Sequence, residues 1–280
     1  MNGIVKIDAS GLSSAQLGLL LNEAMLERPP VVIVRKFALQ AAAAPTPSHW
    51  REFCATCHDG RFIDLCSYVG TVFGYSDLQE GRLIQEIFPI RDHREMQVGS
   101  GAVKLELHTE DPALAYRADH LGFLCISNKD SVPTLLSVPN FELLSNEVVE
   151  RLSRPVFRIR NDRDFGQGGD EGGLLTSALS RDEEGRVSMI FDPTYLATDA
   201  LAPEDIDAYA SLVKLVDDAS TELCLEEGDV AIIDNYRVAH GRPEYSPKYD
   251  GTDRWLKRVQ ISNSLDKHTA LAIVPNRLMP

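Results

Sequence analysis

From residue 102 onward the apolar positions come in short runs, separated by stretches rich in Gly, Asp and Pro. Runs of that length bounded by turn residues read as strands. They predict strands at 102–110, 121–127, 133–138, 156–160, 186–192, 229–234 and 254–262. Upstream, "VVIVRKF" (31–37) is β-branched and predicts a buried strand, and "GRLIQEIFPI" (81–90) predicts a strand broken by Pro89. Helical spacing occurs three times. "GLSSAQLGLLLNEAMLERPP" (11–30) predicts a helix capped by Ser13 or Ser14 and stopped by Pro29 and Pro30. Residues 48–70 place Trp50, Phe53, Cys54, Cys57, Ile63, Cys66 and Val69 at helical intervals. "APEDIDAYASLVKLVDDASTELCL" (202–225) predicts an amphipathic helix whose acidic first turn suits the helix dipole. Residues 41–48 read as a linker or turn, and "RNDRDFGQGGDEGG" (160–173) reads as a flexible loop placed to act as a lid.

Many short strands with a few helices outside them predict a mainly β fold with flanking helices, built on a double-stranded β-helix, or jelly-roll, core. No internal repeat or long linker divides the chain. The expectation is one domain over 1–280, with N-terminal helical additions over about 1–75 and the jelly-roll over about 76–265.

Composition narrows the function. Of 280 residues, 44% are hydrophobic and 25% charged, the balance of a soluble globular protein whose core needs no disulfides. A formal charge of −14 argues against nucleic acid and anionic membranes as partners, because Lys and Arg carry the affinity for both. No basic stretch followed by an apolar one opens the chain, and no apolar run approaches the ~20 residues that span a bilayer. Five cysteines, an odd number, read as cytosolic thiols, so the expected location is cytoplasmic. Nothing here sets an oligomeric state.

The chemistry concentrates in "LELHTEDPALAYRADHLGF" (105–123). A strand turns residues i and i+2 to the same side, which groups Glu106, His108 and Glu110 against Leu105, Leu107 and Thr109. Burying two carboxylates and an imidazole together is costly unless a cation neutralises them. Far downstream "VAIID" (230–234) enters a strand and His240 follows. Two histidines and one carboxylate are the ligand set of the facial triad of non-haem Fe(II) oxygenases. Arg254 and Arg258 then share a strand face with Leu256. Two arginines aimed into one interior need anionic partners, and the guanidinium fork fits carboxylates. A dicarboxylate cosubstrate and an amino-acid carboxylate would supply two. The plainer alternative is a charged, exposed strand face.

Four blocks, "VVIVRKF", "EGRLIQEIFP", "LHTEDPALAYRADHLGFLCISN" and "DNYRVAHGRPEYSPKYDGTDRWLKRV", together resemble the clavaminate synthase-like Fe(II)/2-oxoglutarate oxygenases. Within them the likeness is to the branch that hydroxylates free amino acids, typified by arginine β-hydroxylases, and it runs from about Val31 to Ile261. The resemblance implies an enzyme that uses Fe(II), 2-oxoglutarate and O₂ to hydroxylate an unactivated C–H of a free, basic amino acid. It implies His108, Glu110 and His240 as iron ligands, which are also the catalytic residues. Arg254 would pair with the far carboxylate of 2-oxoglutarate, helped by the Thr134 hydroxyl in "SVPTLL". Arg258 would hold the substrate α-carboxylate, Gln85 would lie near its amine, and Asp192 in "MIFDPTY" would face a side-chain cation. Arginine-hydroxylating relatives tend to carry a second acid two residues on, where this chain has Thr194, so lysine, ornithine or a neutral side chain stay open alongside arginine. Related halogenases have a small residue where this chain has Glu110, which favours hydroxylation here.

Other readings compete. The enzyme could act on a carrier-tethered amino acid, or desaturate or cyclise it. A jelly-roll that only binds a ligand is a further option. "CATCH" (54–58) has the C-x-x-C-H form of a c-type haem attachment and would mark an electron carrier, although Cys54 and Cys57 also suit core thiols of a helix. Ser100, Glu106 and Asp111 are lesser candidates for the site. His49, His58, His93, His120 and His268 read as surface or capping residues.

Overall fold

The computed structural model describes residues 3–38, 45–52, 54–114, 116–160, 175–263 and 278–279. The chain opens with β1 (Ile4–Asp8), α1 (Ser14–Leu26) and β2 (Val31–Arg35). Ser13 caps α1 reciprocally: its Oγ accepts from the Gln16 N–H, and Gln16 Oε1 accepts from the Ser13 N–H. Next come α2 (Asp59–Ser67), β3 (Thr71–Tyr75), β4 (Gln85–Ile87), β5 (Leu105–His108), β6 (His120–Ser127) and β7 (Thr134–Ser137). The middle of the chain supplies α3 (Asn146–Leu152), β8 (Phe157–Ile159), β9 (Leu175–Thr176), β10 (Leu179–Arg181), β11 (Val187–Met189) and β12 (Leu196–Ala197). Then follow α4 (Pro203–Asp218), β13 (Ser220–Leu223), β14 (Val230–Asp234), β15 (Ala239–Arg242), β16 (Trp255–Ser262) and β17 (Leu278–Met279).

Two sheets carry the architecture. The larger runs β1-β2-β14-β6-β16-β3-β17, with β4 also paired to β16. The smaller runs β13-β7-β15-β5. Strand alternation sorts the side chains of the larger sheet into two buried layers. Val31, Ile33, Leu121, Phe123, Ala231, Ile233 and Leu256 pack with Leu136 and Leu223 of the smaller sheet. Val32, Val34, Leu124, Ile126, Val230 and Ile232 pack with Leu17 and Leu21 of α1 and Phe62, Leu65 and Cys66 of α2. The outer face of the smaller sheet, through Leu107 and Ala239, packs with Leu152 of α3 and Ala208, Leu212 and Val216 of α4. The result is the expected jelly-roll with helices outside both sheets. No described helix is long and apolar enough to cross a membrane.

Some elements depart from the sequence expectations. The helix expected over 48–70 forms only as α2, with turns before it. In that stretch the Cys54 carbonyl accepts from the buried Lys257 Nζ at 2.8 Å, which ties it to the larger sheet. The helix expected over 202–225 ends at Asp218, because Ser220–Leu223 is drawn into β13, opposite β7. The strand expected over 81–90 shortens to Gln85–Ile87. Residues 1–75 contribute β1, β2 and β3 to the larger sheet, so the division expected near residue 75 does not separate structural layers. The expected lid at 160–173 lies outside the described residues, apart from Arg160, and so does the first half of the 41–48 linker.

Candidate metal centre

The site begins with a pairing in the smaller sheet. β15 runs antiparallel to β5 and sets His240 opposite His108, with ring centroids 4.4 Å apart. Immediately beyond, the register shifts between His240 and Arg242. Gly241 sits at that irregularity, where a Cβ would lie 2.6 Å from the Leu105 carbonyl oxygen. Only glycine lets the two backbones approach so closely.

His108 Nδ1 lies 2.8 Å from the Glu106 carbonyl oxygen. A carbonyl can only accept, so Nδ1 carries the proton and Nε2 offers a lone pair. Glu110 lies beyond the end of β5, and Asp111 after it turns the chain with a left-handed φ of 48°. Regular strand alternation therefore does not place Glu110, although it lines the same cavity as His108 and Glu106. Glu106 itself pairs with Lys104 at 2.6 Å. The Glu110 Oε2 is 3.4 Å from His240 Nε2 and 4.0 Å from His108 Nε2. The potential ligand atoms of these three residues all lie within 4.8 Å of one another.

Charge prepares this cluster for a cation. Burial alone would raise the Glu110 carboxyl, but Arg258 and the two imidazoles bring it well below the usual carboxylate range. Arg258 Nη1 is 2.5 Å from Glu110 Oε1. Burial, and then the neighbouring His108, push His240 down to about 4. An ionised acid and a neutral imidazole are the forms that bind a metal. Glu110 Oε2 is buried without a hydrogen-bond partner among the described residues, a cost that a divalent cation would remove. The donor set, one carboxylate and two imidazoles, suits Fe(II).

A buried cation lines the same cavity. Arg254 precedes β16 in the larger sheet and donates from Nη2 to Thr134 Oγ1 of β7 at 2.8 Å, bridging the two sheets. Its Nε has no partner, and among the described residues no carboxylate pairs with it. Burial, then the charge of Arg242, push it down to about 10, so it stays cationic at neutral pH. A small dicarboxylate fits this need. Arg242 is fastened to the Gly99 and Val103 carbonyls and stacks on Tyr245.

The remaining expected residues converge on the same place. Gln85 of β4 stands opposite Arg258, donates from Nε2 to the Arg82 carbonyl at 2.7 Å, and keeps a buried Oε1 without a partner among the described residues. Asp192 is buried, and its Oδ1 accepts from the Thr194 and Tyr195 N–H groups, forming the turn at Pro193. Thr194 Oγ1 donates to Gln97 Oε1 at 3.1 Å. Ser100 Oγ meets His93 Nδ1 at 2.7 Å. His108, Glu110, His240, Arg254, Thr134, Arg258, Gln85 and Asp192 all line one cavity, open to solvent.

The "CATCH" string lies away from this cavity. Cys54 is 3% exposed and burial raises its thiol, whereas Cys57 is exposed and 3.5 Å from His58 Nε2. Haem attachment needs both thiols accessible, so the haem reading is set aside. Sequence reasoning did not find Asn235 or Arg117. Asn235 is buried and holds the backbone of Glu110. Arg117 donates to Thr109 Oγ1 and the Met189 carbonyl and lies over the Tyr236 ring, tying the His108–Glu110 segment to the one that carries Asp192. The signal available was an amide five residues before His240 and an arginine seven after Glu110, neither of which suggests a partner by itself.

Known proteins are similar to this chain. Residues 138–260 match the family described as "Taurine catabolism dioxygenase TauD, TfdA family". An L-ornithine/L-arginine 3-hydroxylase of Catenulispora acidiphila is 28% identical over 255 residues, covering 81% of this chain and 74% of that protein. An enduracididine beta-hydroxylase of Streptomyces hygroscopicus is 31% identical over 233 residues, 75% of this chain and 68% of that one. Among solved structures, the non-heme iron oxygenase OrfP with Fe and alpha-ketoglutaric acid superposes with a TM-score of 0.84 at 30% identity, over 97% of this chain and 87% of that one. OrfP with Fe and L-Arg gives 0.78 at 30% identity, over 95% and 87%.

Proposed function

The chain belongs to the TauD/TfdA family of Fe(II)- and 2-oxoglutarate-dependent dioxygenases, and on that premise we propose that it hydroxylates an unactivated C–H bond of a free basic amino acid. The observation that carries this reading is the meeting of two features in one cavity: a two-histidine, one-carboxylate cluster with a buried, unpartnered carboxylate oxygen, and a buried arginine that no carboxylate among the described residues pairs with. In this reading His108, Glu110 and His240 hold Fe(II). Arg254 and Thr134 receive the far carboxylate of 2-oxoglutarate. Bound together, the metal and cosubstrate supply the oxidising power: 2-oxoglutarate and O₂ become succinate and CO₂ as the substrate gains one oxygen atom.

The protein's own part is placement. Arg258 offers its guanidinium to the substrate α-carboxylate, and the unpartnered Gln85 Oε1 accepts from the α-ammonium across the β4–β16 pair. Asp192, held rigid by its own turn, presents negative charge to a side-chain cation. Relatives named for ornithine, arginine and lysine hydroxylation bind side chains of this kind. The whole chain acts as one catalytic domain, and its five free cysteines suit a cytoplasmic location.

The test is direct. Purified protein with Fe(II), 2-oxoglutarate and O₂ is offered L-ornithine, L-arginine, L-lysine and a panel of neutral amino acids. Succinate release and a mass gain of one oxygen are expected with at least one basic member. Turnover only with neutral amino acids would overturn the substrate assignment. No succinate with any of them would overturn the enzyme assignment.

A further inference from the structure

Glu110 sits where the sheet has stopped supplying it. β5 ends at His108, so the Glu110 N–H and C=O have no ladder strand to pair with. The side chain of Asn235 takes that place. Its Oδ1 accepts from the Glu110 N–H at 2.7 Å, and its Nδ2 donates to the Glu110 carbonyl at 3.0 Å. The same Nδ2 donates to the Ala118 carbonyl at 3.0 Å, and the Asn235 backbone N–H donates to the Asp119 carbonyl at 2.9 Å. Asn235 is 0% exposed. One carboxamide thus acts as a single residue of β-strand toward Glu110, accepting and donating on the same edge.

The placement matters for what Glu110 must do. Its Oε2 faces both imidazoles while its Oε1 meets Arg258, an orientation that leaves little freedom for the backbone beneath it. Thr109, one residue before, is pinned to Phe191 by backbone and side-chain hydrogen bonds. Asp111, one residue after, holds a left-handed φ. Asn235 closes the gap between these two anchors. It follows directly on β14 and lies five residues before His240, so one turn both delivers the second histidine and grips the acid.

The geometry points to Asn235 as a positioning residue for the metal centre: its amide holds the Glu110 backbone where the carboxylate can serve the two histidines and Arg258 together. The inference rests on the metal reading above. The chemistry of the side chain is specific. Aspartate lacks the donor, glutamine is a methylene too long, and serine or alanine cannot reach both groups.

A matched control exists in the same molecule. Asn128 makes the same three-bond clamp elsewhere, donating to the Val132 and Leu225 carbonyls at 3.1 and 3.0 Å and accepting from the Val132 N–H at 2.9 Å. The experiment is titration of the full-length, metal-free protein with Co(II) alone, followed by its d–d absorption, with thermal unfolding of the same samples. Wild type, Asn235→Ala, Asn235→Ser and Asn128→Ala are compared. Both Asn235 variants are expected to bind Co(II) about 10–100-fold more weakly than wild type, the usual loss when a group that orients a ligand is removed. Asn128→Ala is expected to lose stability but keep wild-type Co(II) affinity. If Asn235→Ala does not fold, Asn235→Ser decides. Wild-type affinity in the deciding variant, or an equal loss in Asn128→Ala, overturns the assignment. Wild-type protein that shows no Co(II) spectrum would instead overturn the metal reading, and this inference with it.

Discussion

Arg254 holds a positive charge where little water reaches it, and among the described residues a threonine hydroxyl is its one hydrogen-bond partner. A buried guanidinium without an anion costs the metal-free protein stability, which an anionic cosubstrate would return. Replacing it with an apolar side chain of similar length should therefore separate stability from function. Arg254→Met is expected to unfold at a higher urea concentration than wild type, by roughly 1–3 kcal/mol, while its 2-oxoglutarate KM rises at least about 30-fold. Lower stability with an unchanged KM would remove Arg254 from the cosubstrate site. Asp192 allows a cleaner substitution still. Its Oδ1 accepts from two backbone N–H groups, and asparagine keeps that acceptor while losing the charge. Asp192→Asn is expected to lower kcat/KM for ornithine, arginine and lysine by about 10–100-fold, the worth of a charged hydrogen bond, and to leave neutral substrates unchanged. Equal loss across all substrates would mark the aspartate as structural.

At the level of elements, the site depends on how closely β15 can lie against β5. Gly241 permits the approach: an added methyl would meet the Leu105 and Glu106 carbonyl oxygens at 2.6 and 3.1 Å. Gly241→Ala is expected to push the strands apart next to the His108–His240 pair, costing about 1–3 kcal/mol and at least tenfold in Co(II) affinity. Unfolding and metal titration of the same variant check both, and intact affinity would show that the histidine pair does not depend on this contact. β16 works through its two faces. Arg254, Leu256 and Arg258 line the cavity, while Trp255 and Lys257 face the other way. There Lys257 Nζ meets Glu86 at 2.8 Å and Asp59 at 3.2 Å, binding α2 and β4 to the back of the strand that carries the arginines.

For the whole molecule, function and stability share the same open charges. The net charge is −14, yet Arg242, Arg254 and Arg258 gather at one cavity. Individual guanidiniums can receive small carboxylic acids there, although Glu86, Glu106, Glu110, Asp111 and Asp192 line the same cavity, while the acidic protein as a whole does not attract nucleic acid. Because the charges are buried, salt should screen them weakly. A ligand that binds only the folded state at 100 times its Kd adds about 2.7 kcal/mol of stability. Co(II) with 2-oxoglutarate is therefore expected to raise the unfolding temperature by roughly 5 °C or more, and 2-oxoglutarate should add nothing to Arg254→Met. Thermal scans with and without each ligand test this, and a wild-type Tm unmoved by saturating metal and cosubstrate would contradict it.

The sequence by itself determined the strands and the chemistry of the side chains. β2, β6, β14 and β16 were legible because β-branched and apolar runs bounded by turn residues have few alternatives, and Ser13 announced the start of α1. The histidines, the acid and the arginines were legible because such groups are costly to bury without a shared partner. Only the tertiary structure decided how those groups meet. The alternation that grouped Glu106, His108 and Glu110 stops at His108, and Glu110 is set instead by an amide 125 residues away. Arg254 finds Thr134 across 120 residues, and Lys257 reaches the Cys54 carbonyl across 203. Periodicity reports which face of an element is apolar. It carries no information about hydrogen bonds between distant segments, and these hold this site together.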